Sequence, residues 1–208
     1  MKVLLINGSP RKAGNTHRAL TEVAHTLEQE GIESEIVWIG NKPLRGCIVC
    51  GTCKRNNDGK CTFDDDVCNA ISAKFAESDG FVFGSPVYYG QPNGALLAIM
   101  QRAFYSNGAN VANKPAAAVT ICRRGGATAA FEALQMPLQM MNMPIVTSQY
   151  WNIAYGRDEG EVSADTEGMQ TMRTLAHNMA FMLRAVAAEK AKNGIPVREE
   201  RQAMPFIR

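Results

Sequence analysis

Residues 3–16, with the sequence VLLINGSPRKAGNT, are the most informative part of this chain for its fold. The apolar run Val3–Ile6 predicts a buried strand, and a segment with helical periodicity begins at Thr16. A loop rich in glycine and polar residues joins them. Backbone N–H groups at a helix start have no partner within the helix, and together with the helix dipole they favour a bound anion. The order strand, loop, helix therefore predicts a nest for a phosphate group.

Two common phosphate-binding motifs are absent from this loop. A Walker A loop has four residues between its glycines and then Gly-Lys-Ser/Thr, whereas five residues separate Gly8 from Gly14, and Asn15 replaces the lysine. The dinucleotide fingerprint G-x-G-x-x-G is also absent, because Pro10 occupies the place of its second glycine. The loop is therefore either a site for one phosphate monoester or a tight turn without a ligand. The candidate phosphate ligands are Ser9, Arg11, Lys12, Gly14, Asn15 and Thr16.

Length, charge and cysteine content limit the class of protein. The chain has 208 residues, 46% hydrophobic and 20% charged, which predicts one globular α/β domain over residues 1–208. A net charge of +2 without a long basic run predicts no nucleic-acid partner. No apolar stretch is long enough to span a membrane, and the short N-terminal apolar segment is interpreted as a core strand rather than a signal peptide. We expect a cytoplasmic protein whose six cysteines are reduced.

Apolar runs alternate with helical patterns along the chain, which predicts an α/β fold with a five-stranded parallel sheet covered on both faces. A phosphate loop after the first strand suits the strand order 2-1-3-4-5, with the ligand at the switch point between strands one and three. We expect a C-terminal tail at residues 193–208 that breaks at Gly194 and Pro196. The predicted strands are Lys2–Ile6, Ser34–Ile39, Gly80–Phe83, Ala116–Cys122 and Pro144–Trp151, and the predicted helices are Thr16–Glu30, Asp65–Glu77, Gly94–Tyr105, Ala127–Met141 and Asp165–Lys192.

Three ordered loops carry a resemblance to a known family. They are Ser9-Pro10-Arg11-Lys12-Ala13-Gly14-Asn15-Thr16, then Gly84-Ser85-Pro86-Val87-Tyr88-Tyr89-Gly90, then Arg123-Arg124-Gly125-Gly126. Together they resemble the loops of the NAD(P)H-dependent FMN reductases, a branch of the flavodoxin-like superfamily. The resemblance implies a flavodoxin-like three-layer sandwich that binds FMN without a covalent link. It also implies a homodimer or homotetramer.

The second and third loops contain candidate residues for the flavin ring. A flat, apolar ring edged with donors and acceptors needs backbone polar groups at its rim and apolar surface at its faces. The alternative is that the tyrosines only pack at the rim of the sheet. For the arginines, our hypothesis is that one stabilises negative charge on the reduced flavin or contacts the NAD(P)H phosphate, and the alternative is a solvated surface. The candidates are Pro86, Val87, Tyr88, Tyr89, Gly90, Arg123, Arg124 and Gly125.

A cysteine-rich loop at residues 45–62 is the second strong feature. Cys47, Cys50, Cys53 and Cys61 have a spacing that suits a [4Fe–4S] cluster or a Cys₄ zinc site, and a set of reduced thiols without metal is the third possibility. Within the flavodoxin-like superfamily, the pattern resembles that of the iron–sulfur flavoproteins, which implies that all four cysteines are cluster ligands. The other two cysteines are predicted to be core residues, Cys68 in a helix and Cys122 at a strand end.

These features predict an FMN-dependent NAD(P)H oxidoreductase. Electrons would pass from NAD(P)H as co-substrate through FMN to a flavin, a quinone or another acceptor, with or without a [4Fe–4S] cluster. We name no catalytic side chain, because the cofactor performs the chemistry. The main alternative is a non-enzymatic electron carrier between redox proteins, and a further one is a zinc-stabilised ligand-binding protein. The expected partner is a small-molecule electron acceptor or a redox protein.

Overall fold

A parallel β-sheet forms the centre of the computed structural model, which describes residues 1–200, Gln202 and Met204. The five parallel strands lie in the order β2-β1-β3-β5-β6, which confirms the predicted strand order. A two-residue strand, β4, pairs antiparallel with the end of β3. The strands are β1 (Lys2–Asn7), β2 (Glu33–Trp38), β3 (Gly80–Tyr88), β4 (Gln91–Pro92), β5 (Ala116–Cys122) and β6 (Ile153–Tyr155).

Helices cover both faces of this sheet and complete the predicted three layers. The helices are α1 (Asn15–Gln29), α2 (Thr52–Asn56), α3 (Cys68–Ala73), α4 (Gly94–Asn107), α5 (Ala127–Met140) and α6 (Thr166–Asn193). Helices α1 and α6 pack on one face, where Leu20 and Leu175 are fully buried. Helices α3, α4 and α5 pack on the other, where Ile71 and Leu134 are buried. None of the described helices is long and apolar enough to cross a membrane.

The side chains of β1 show why the sheet is buried on both faces. Val3 and Leu5 join the core on the α1 and α6 side, whereas Leu4 and Ile6 join the core on the other side. Successive residues of a strand point to opposite faces, so a continuous apolar run suits a strand covered on both sides. All four side chains are fully buried.

The last predicted strand, Pro144–Trp151, is wrong. The chain touches the sheet edge only around Ile145, where the Val146 N–H donates to the Ala116 carbonyl at 2.8 Å. It then leaves the sheet in a turn, in which the Ser148 hydroxyl donates a hydrogen bond to the Tyr150 carbonyl at 2.6 Å. The chain pairs with β5 again only at β6. An apolar run alone does not show where a chain departs from its register.

Other boundaries differ from the prediction as well. The helix predicted at Asp65–Glu77 is limited to α3, because the Asp66 carboxylate accepts from the Cys68 N–H at 2.9 Å and residues 64–66 belong to a loop. Strand β3 continues past Phe83 to Tyr88, since it pairs with β5 as far as Pro86. Helix α6 ends at Asn193, before Gly194 at φ +81°, and of the predicted tail residues 201, 203 and 205–208 lie outside the described residues.

The close packing of α1 on β3 gives a prediction for stability. A Cβ atom added to buried Gly84 would lie 2.9 Å from Cδ1 of Leu20. We expect Gly84→Ala to lower the free energy of unfolding by about 1–3 kcal/mol, because the core cannot accept the extra carbon without shifting. The measurement is urea-induced unfolding of the FMN-free protein.

Gly94→Ala is the matched control for that substitution. A Cβ atom added to Gly94 would meet no atom within 4 Å, so this variant should be at least as stable as the wild type. A Gly84→Ala protein with wild-type stability would contradict the close approach of α1 to β3.

Candidate functional site

Three predicted loops meet at the carboxyl edge of the sheet, toward which the parallel strands β1, β3 and β5 all run. The Gly8 N–H donates to the Gly84 carbonyl at 2.8 Å, and the Asn93 side chain donates to the Gly8 carbonyl at 2.6 Å. These bonds connect the loop after β1 to both ends of the β3–β4 hairpin. A Cβ atom on Gly126 would lie 2.8 Å from Cα of Gly90, so the loop after β5 lies against the hairpin tip. The structure therefore brings together all three loops singled out in the sequence.

The phosphate-type loop, residues 8–14, is held at its base by the buried side chain of Asn7 and the half-buried side chain of Trp38. Asn7 is fully buried; its Oδ1 accepts from the Ser9 N–H and its Nδ2 donates to the Lys12 carbonyl, both at 3.1 Å. The Trp38 indole donates to the Ser9 carbonyl at 2.7 Å. Sequence reasoning missed Asn7 and Trp38, and only the position of Asn7 at a strand end could have indicated its role. The loop is thereby ordered without a ligand.

The first turn of α1 presents backbone N–H groups that no side chain caps. Gly14 is the N-cap residue, and the first turn contains no acidic side chain. The unpaired N–H groups of a helix start attract an anion. Thr16 is 2% exposed and its hydroxyl has no hydrogen-bond partner among the described residues. Arg11 and Lys12 are exposed beside this turn.

Two of the predicted phosphate ligands also have structural partners. The Ser9 hydroxyl accepts from the Arg11 N–H at 3.1 Å and keeps its own proton for another acceptor. The Asn15 amide donates to the Asp158 carbonyl at 2.8 Å and accepts from the Val162 N–H at 3.3 Å. One amide proton of Asn15 is left for a ligand. The contact also brings the connection between β6 and α6, which the sequence did not single out, to the same edge.

The β3–β4 hairpin displays its aromatic residues to solvent. Tyr89 and Gly90 have φ of +51° and +75°, the pattern of a type I′ two-residue turn. Tyr89 is fully exposed and Tyr88 is 46% exposed, while Pro86 and Val87 are half-buried. Packing against the core therefore does not account for the tyrosines.

The arginine loop precedes a second uncapped helix start. Arg123, Arg124 and Gly125 are exposed, and neither arginine forms an ion pair among the described residues. The N-cap residue of α5 is Gly126 at φ +83°, and the first turn has no acidic residue. By contrast, Asn93 caps α4 and Asp165 caps α6 through their side chains. The two long helices without a side-chain cap thus begin at the edge where the three loops meet.

The four predicted cysteine ligands line one pocket, together with Phe63, Arg102 and Tyr105. Cys53 is buried, Cys50 is exposed, and the other two are half-buried. In the part of the chain that the structure describes, no group of three or more His, Cys, Asp or Glu side chains has the arrangement of a metal site. The structure therefore gathers the thiols around a common space without bringing the sulfur atoms together as a ligand set.

The backbone of this cysteine pocket is folded in an unusual way. Val49 has φ of +54° and Gly51 has φ of +71°. A β-branched residue in the left-handed region is an outlier that costs about 1–3 kcal/mol and is typical of functional sites. This conformation directs the Val49 N–H to Sγ of Cys47 at 3.4 Å. Hydrogen bonds from Thr52 lower the pKa of the exposed Cys50 thiol, which favours its thiolate form.

The remaining two cysteines lie in the core, as predicted. Cys68 is fully buried, and burial raises the pKa of its thiol to about 12. The Cys122 thiol is buried and donates to the Gly125 carbonyl at 2.9 Å. Neither lines the cysteine pocket.

Arg102 of α4 is a pocket residue that sequence reasoning missed. Of the residues that the structure describes, it is the one charged residue that is fully buried. Its Nε lies 3.3 Å from Sγ of Cys61, and it forms an ion pair with Asp66. Burial disfavours the guanidinium charge, but hydrogen bonds to Asp66 and Cys61 outweigh this and raise the pKa of Arg102. No motif in the sequence marks this residue.

Comparison with solved structures shows a flavodoxin-like fold. RosB with its bound intermediate, 8-demethyl-8-formylriboflavin-5'-phosphate, superimposes with a TM-score of 0.66 at 17% identity, over 100% of this chain and 94% of that one. A flavodoxin from the domain Archaea superimposes with a TM-score of 0.58 at 14% identity, over 88% of this chain and 99% of that one. At such identities the likeness concerns the fold alone.

Sequence comparison shows the family. A protein-family model described as NADPH-dependent FMN reductase matches residues 1–158. An iron–sulfur flavoprotein of Methanocaldococcus jannaschii is 33% identical over 194 residues, which cover 89% of this chain and 99% of that protein. The iron–sulfur flavoprotein of Methanosarcina thermophila is 28% identical over 198 residues, 92% of this chain and 100% of that protein. The chain therefore belongs to the NADPH-dependent FMN reductase family, in the branch whose relatives are named iron–sulfur flavoproteins.

Proposed function

We propose that this protein binds FMN at the carboxyl edge of its sheet, takes hydride from NAD(P)H, and passes electrons to a second acceptor through a [4Fe–4S] cluster in the cysteine pocket. One observation carries the proposal: three polar loops and the two uncapped helix starts of α1 and α5 meet at a single edge. Family membership supports flavin-dependent oxidoreduction as the general activity.

The phosphate of FMN fits the loop between β1 and α1. The loop is ordered by Asn7 and Trp38, so little conformational freedom is lost when an anion binds. Uncapped N–H groups of α1 and the Thr16 hydroxyl would donate to phosphate oxygens, and the exposed cations beside them would balance the charge. The proposed phosphate ligands are Ser9, Arg11, Lys12, Gly14, Asn15 and Thr16.

The flavin ring fits between the β3–β4 hairpin and the start of α5. When bound, FMN accepts a hydride and releases its electrons in one or two steps. The half-buried Val87 offers apolar contact, and the exposed tyrosines can cover a flat ring. The helix start at Gly126 and the charges of Arg123 and Arg124 favour negative charge in their vicinity. The proposed ring residues are Pro86, Val87, Tyr88, Tyr89, Gly90, Arg123, Arg124 and Gly125.

The cysteine pocket fits an iron–sulfur cluster by its donor set. Four thiols surround it, the Val49 N–H and the Arg102 guanidinium point at two of the sulfur atoms, and the pKa of Cys50 is lowered. N–H groups that donate to the ligand sulfur atoms are usual around such clusters, where they orient the ligands and tune the reduction potential. A cluster moves single electrons, whereas NAD(P)H delivers a pair, so FMN and a cluster together would serve a one-electron acceptor.

A non-enzymatic electron carrier is the second candidate function. The observation that favours it is the exposed apolar surface beside the cysteine pocket, where Ile48 is 63% and Val49 is 72% exposed. Such a surface next to a redox centre suits contact with another redox protein. The two functions differ in whether NAD(P)H is turned over without a protein partner.

The cluster proposal predicts a specific absorption change. Protein purified without oxygen should show flavin bands over a broad iron–sulfur shoulder. Cys61→Ala should lose the shoulder and the iron but keep the flavin bands, because the two sites do not share residues. Cys68→Ala, a nearby thiol outside the pocket, should keep both. A wild-type spectrum with flavin bands alone would contradict the cluster.

The phosphate proposal predicts a selective loss of affinity. Thr16→Val should raise the Kd for FMN about tenfold or more, because a hydrogen bond to a charged group contributes about 1.5–3 kcal/mol. Riboflavin, which lacks the phosphate, should bind both proteins equally, as measured by quenching of flavin fluorescence. Thr21→Val removes a hydroxyl that bonds within α1 and should leave both affinities unchanged. An equal effect on riboflavin and FMN would argue against a phosphate contact at Thr16.

The ring proposal predicts kinetic changes at the arginine loop. We expect Arg123→Ala or Arg124→Ala to lower kcat/KM for NAD(P)H about tenfold, since each removes one charge-assisted contact. Steady-state NAD(P)H oxidation with a small acceptor measures this. If both variants keep wild-type kinetics and FMN affinity, the arginines have no such role. Negligible turnover by wild-type protein loaded with FMN would favour the electron carrier instead.

A further inference from the structure

Arg102 is a buried charge whose presence the packing of the protein does not explain. Its side chain is fully buried, and its ion-pair partner Asp66 is 10% exposed. Removing two charges from water is costly, and an apolar pair of the same size is often as stable or more stable. A guanidinium in this place therefore points to a role other than stability.

The donors of Arg102 are directed at residues 61–66 and, through a long contact of Nη1 at 3.4 Å, at the Arg45 carbonyl. Nη1 bonds the Asp66 carboxylate, and Nη2 donates to the Phe63 carbonyl at 2.9 Å. Nε is directed at the sulfur of Cys61 at 3.3 Å. The guanidinium also lies 5.4 Å from the centroid of the Phe63 ring. The planar guanidinium of Arg102 thus contacts three groups of residues 61–66: a carboxylate, a backbone carbonyl and a thiol.

Asn69 of α3 holds the backbone of the same cysteine. It accepts from the Cys61 N–H at 2.8 Å and donates to the Cys61 carbonyl at 3.0 Å. The Cys47 and Cys50 thiols, by contrast, interact with residues of their own loop, Val49 and Thr52. Cys61 is therefore oriented from outside its loop: Asn69 fixes its main chain and Arg102 its sulfur.

The charge distribution around Cys61 is polarised. The guanidinium, whose positive charge is delocalised over its three nitrogens, places Nε at the sulfur, and the balancing carboxylate of Asp66 bonds a different nitrogen, Nη1. A positive group and an N–H donor at a ligand sulfur favour the more negative, reduced form of a cluster, and hydrogen bonds to sulfur are known to set cluster potentials.

We propose that Arg102 is a positioning residue for the cysteine pocket: it orients Cys61 for ligation and raises the reduction potential of the cluster that the pocket holds. This inference rests on the cluster part of the proposed function. Asp66 serves it indirectly, by keeping the buried guanidinium in place.

The test compares Arg102→Gln, Arg102→Lys and the double variant Arg102→Gln/Asp66→Asn with the wild type after anaerobic reconstitution. The double variant removes both charges, so no carboxylate is left buried without a partner. Iron and sulfide per chain, and the midpoint potential from an EPR-monitored redox titration, are measured. Arg45→Gln is the matched control, because it removes an exposed charge that pairs with Asp65 in the adjoining loop.

We expect Arg102→Gln and the double variant to bind iron about 10- to 100-fold more weakly, because each loses the N–H group that orients the Cys61 sulfur. The clusters that do form should have a lower midpoint potential. Arg102→Lys should recover part of the potential because it keeps the charge, and Arg45→Gln should match the wild type. FMN affinity, measured in parallel, should not change and serves as the control for folding.

Two outcomes would overturn the inference, and they are distinguishable. If the wild type takes up no iron, the proposed cluster fails and the role of Arg102 fails with it. The wild type could instead hold a cluster while the double variant has the same iron content and the same midpoint potential. The cluster proposal would then be supported, but Arg102 would be only a structural link between α4 and the loop.

Discussion

The parallel pairing of β1 with β3 is the constraint from which the geometry of the candidate site follows. Asn7, the last residue of β1, lies opposite Gly84 of β3, and the Gly8 N–H continues the ladder onto the Gly84 carbonyl. The close fit requires small residues, because a Cβ on Gly8 would lie 2.8 Å from that carbonyl oxygen. A polar loop and an aromatic hairpin are thereby placed side by side at the switch point of the sheet, where ligands of doubly wound folds bind.

The carboxyl edge of the sheet is electropositive because two of the helices that begin there have no side-chain cap. Asn93 and Asp165 satisfy the first N–H groups of α4 and α6, whereas α1 and α5 begin at Gly14 and Gly126 without such partners. The unbalanced partial charges of two helices thus add to those of the exposed arginines. An electron-rich ligand with a phosphate matches this distribution, and the family of the chain is named for such a ligand.

The cysteine pocket differs from the carboxyl edge of the sheet in how it is ordered. The carboxyl edge is ordered by backbone pairing within the sheet, while the pocket depends on a strained backbone at Val49 and a buried ion pair between Arg102 and Asp66. Both features cost free energy in the absence of a ligand. Features that cost free energy in the free protein are typical of loops whose conformation serves ligand binding rather than stability.

Local patterns in the sequence were enough for β1, its phosphate-type loop and α1, because the apolar run, the turn residues and the helix start follow one another directly in the chain. They also indicated the strand order and the four cysteines, whose roles toward a cofactor stay predictions. The position of β6 could not be read in this way, since the departure of the chain after Val146 is set by the edge of β5. Nor could Arg102, because its contacts to Asp66 and Cys61 span 36 and 41 residues and exist only once α4 packs on the sheet.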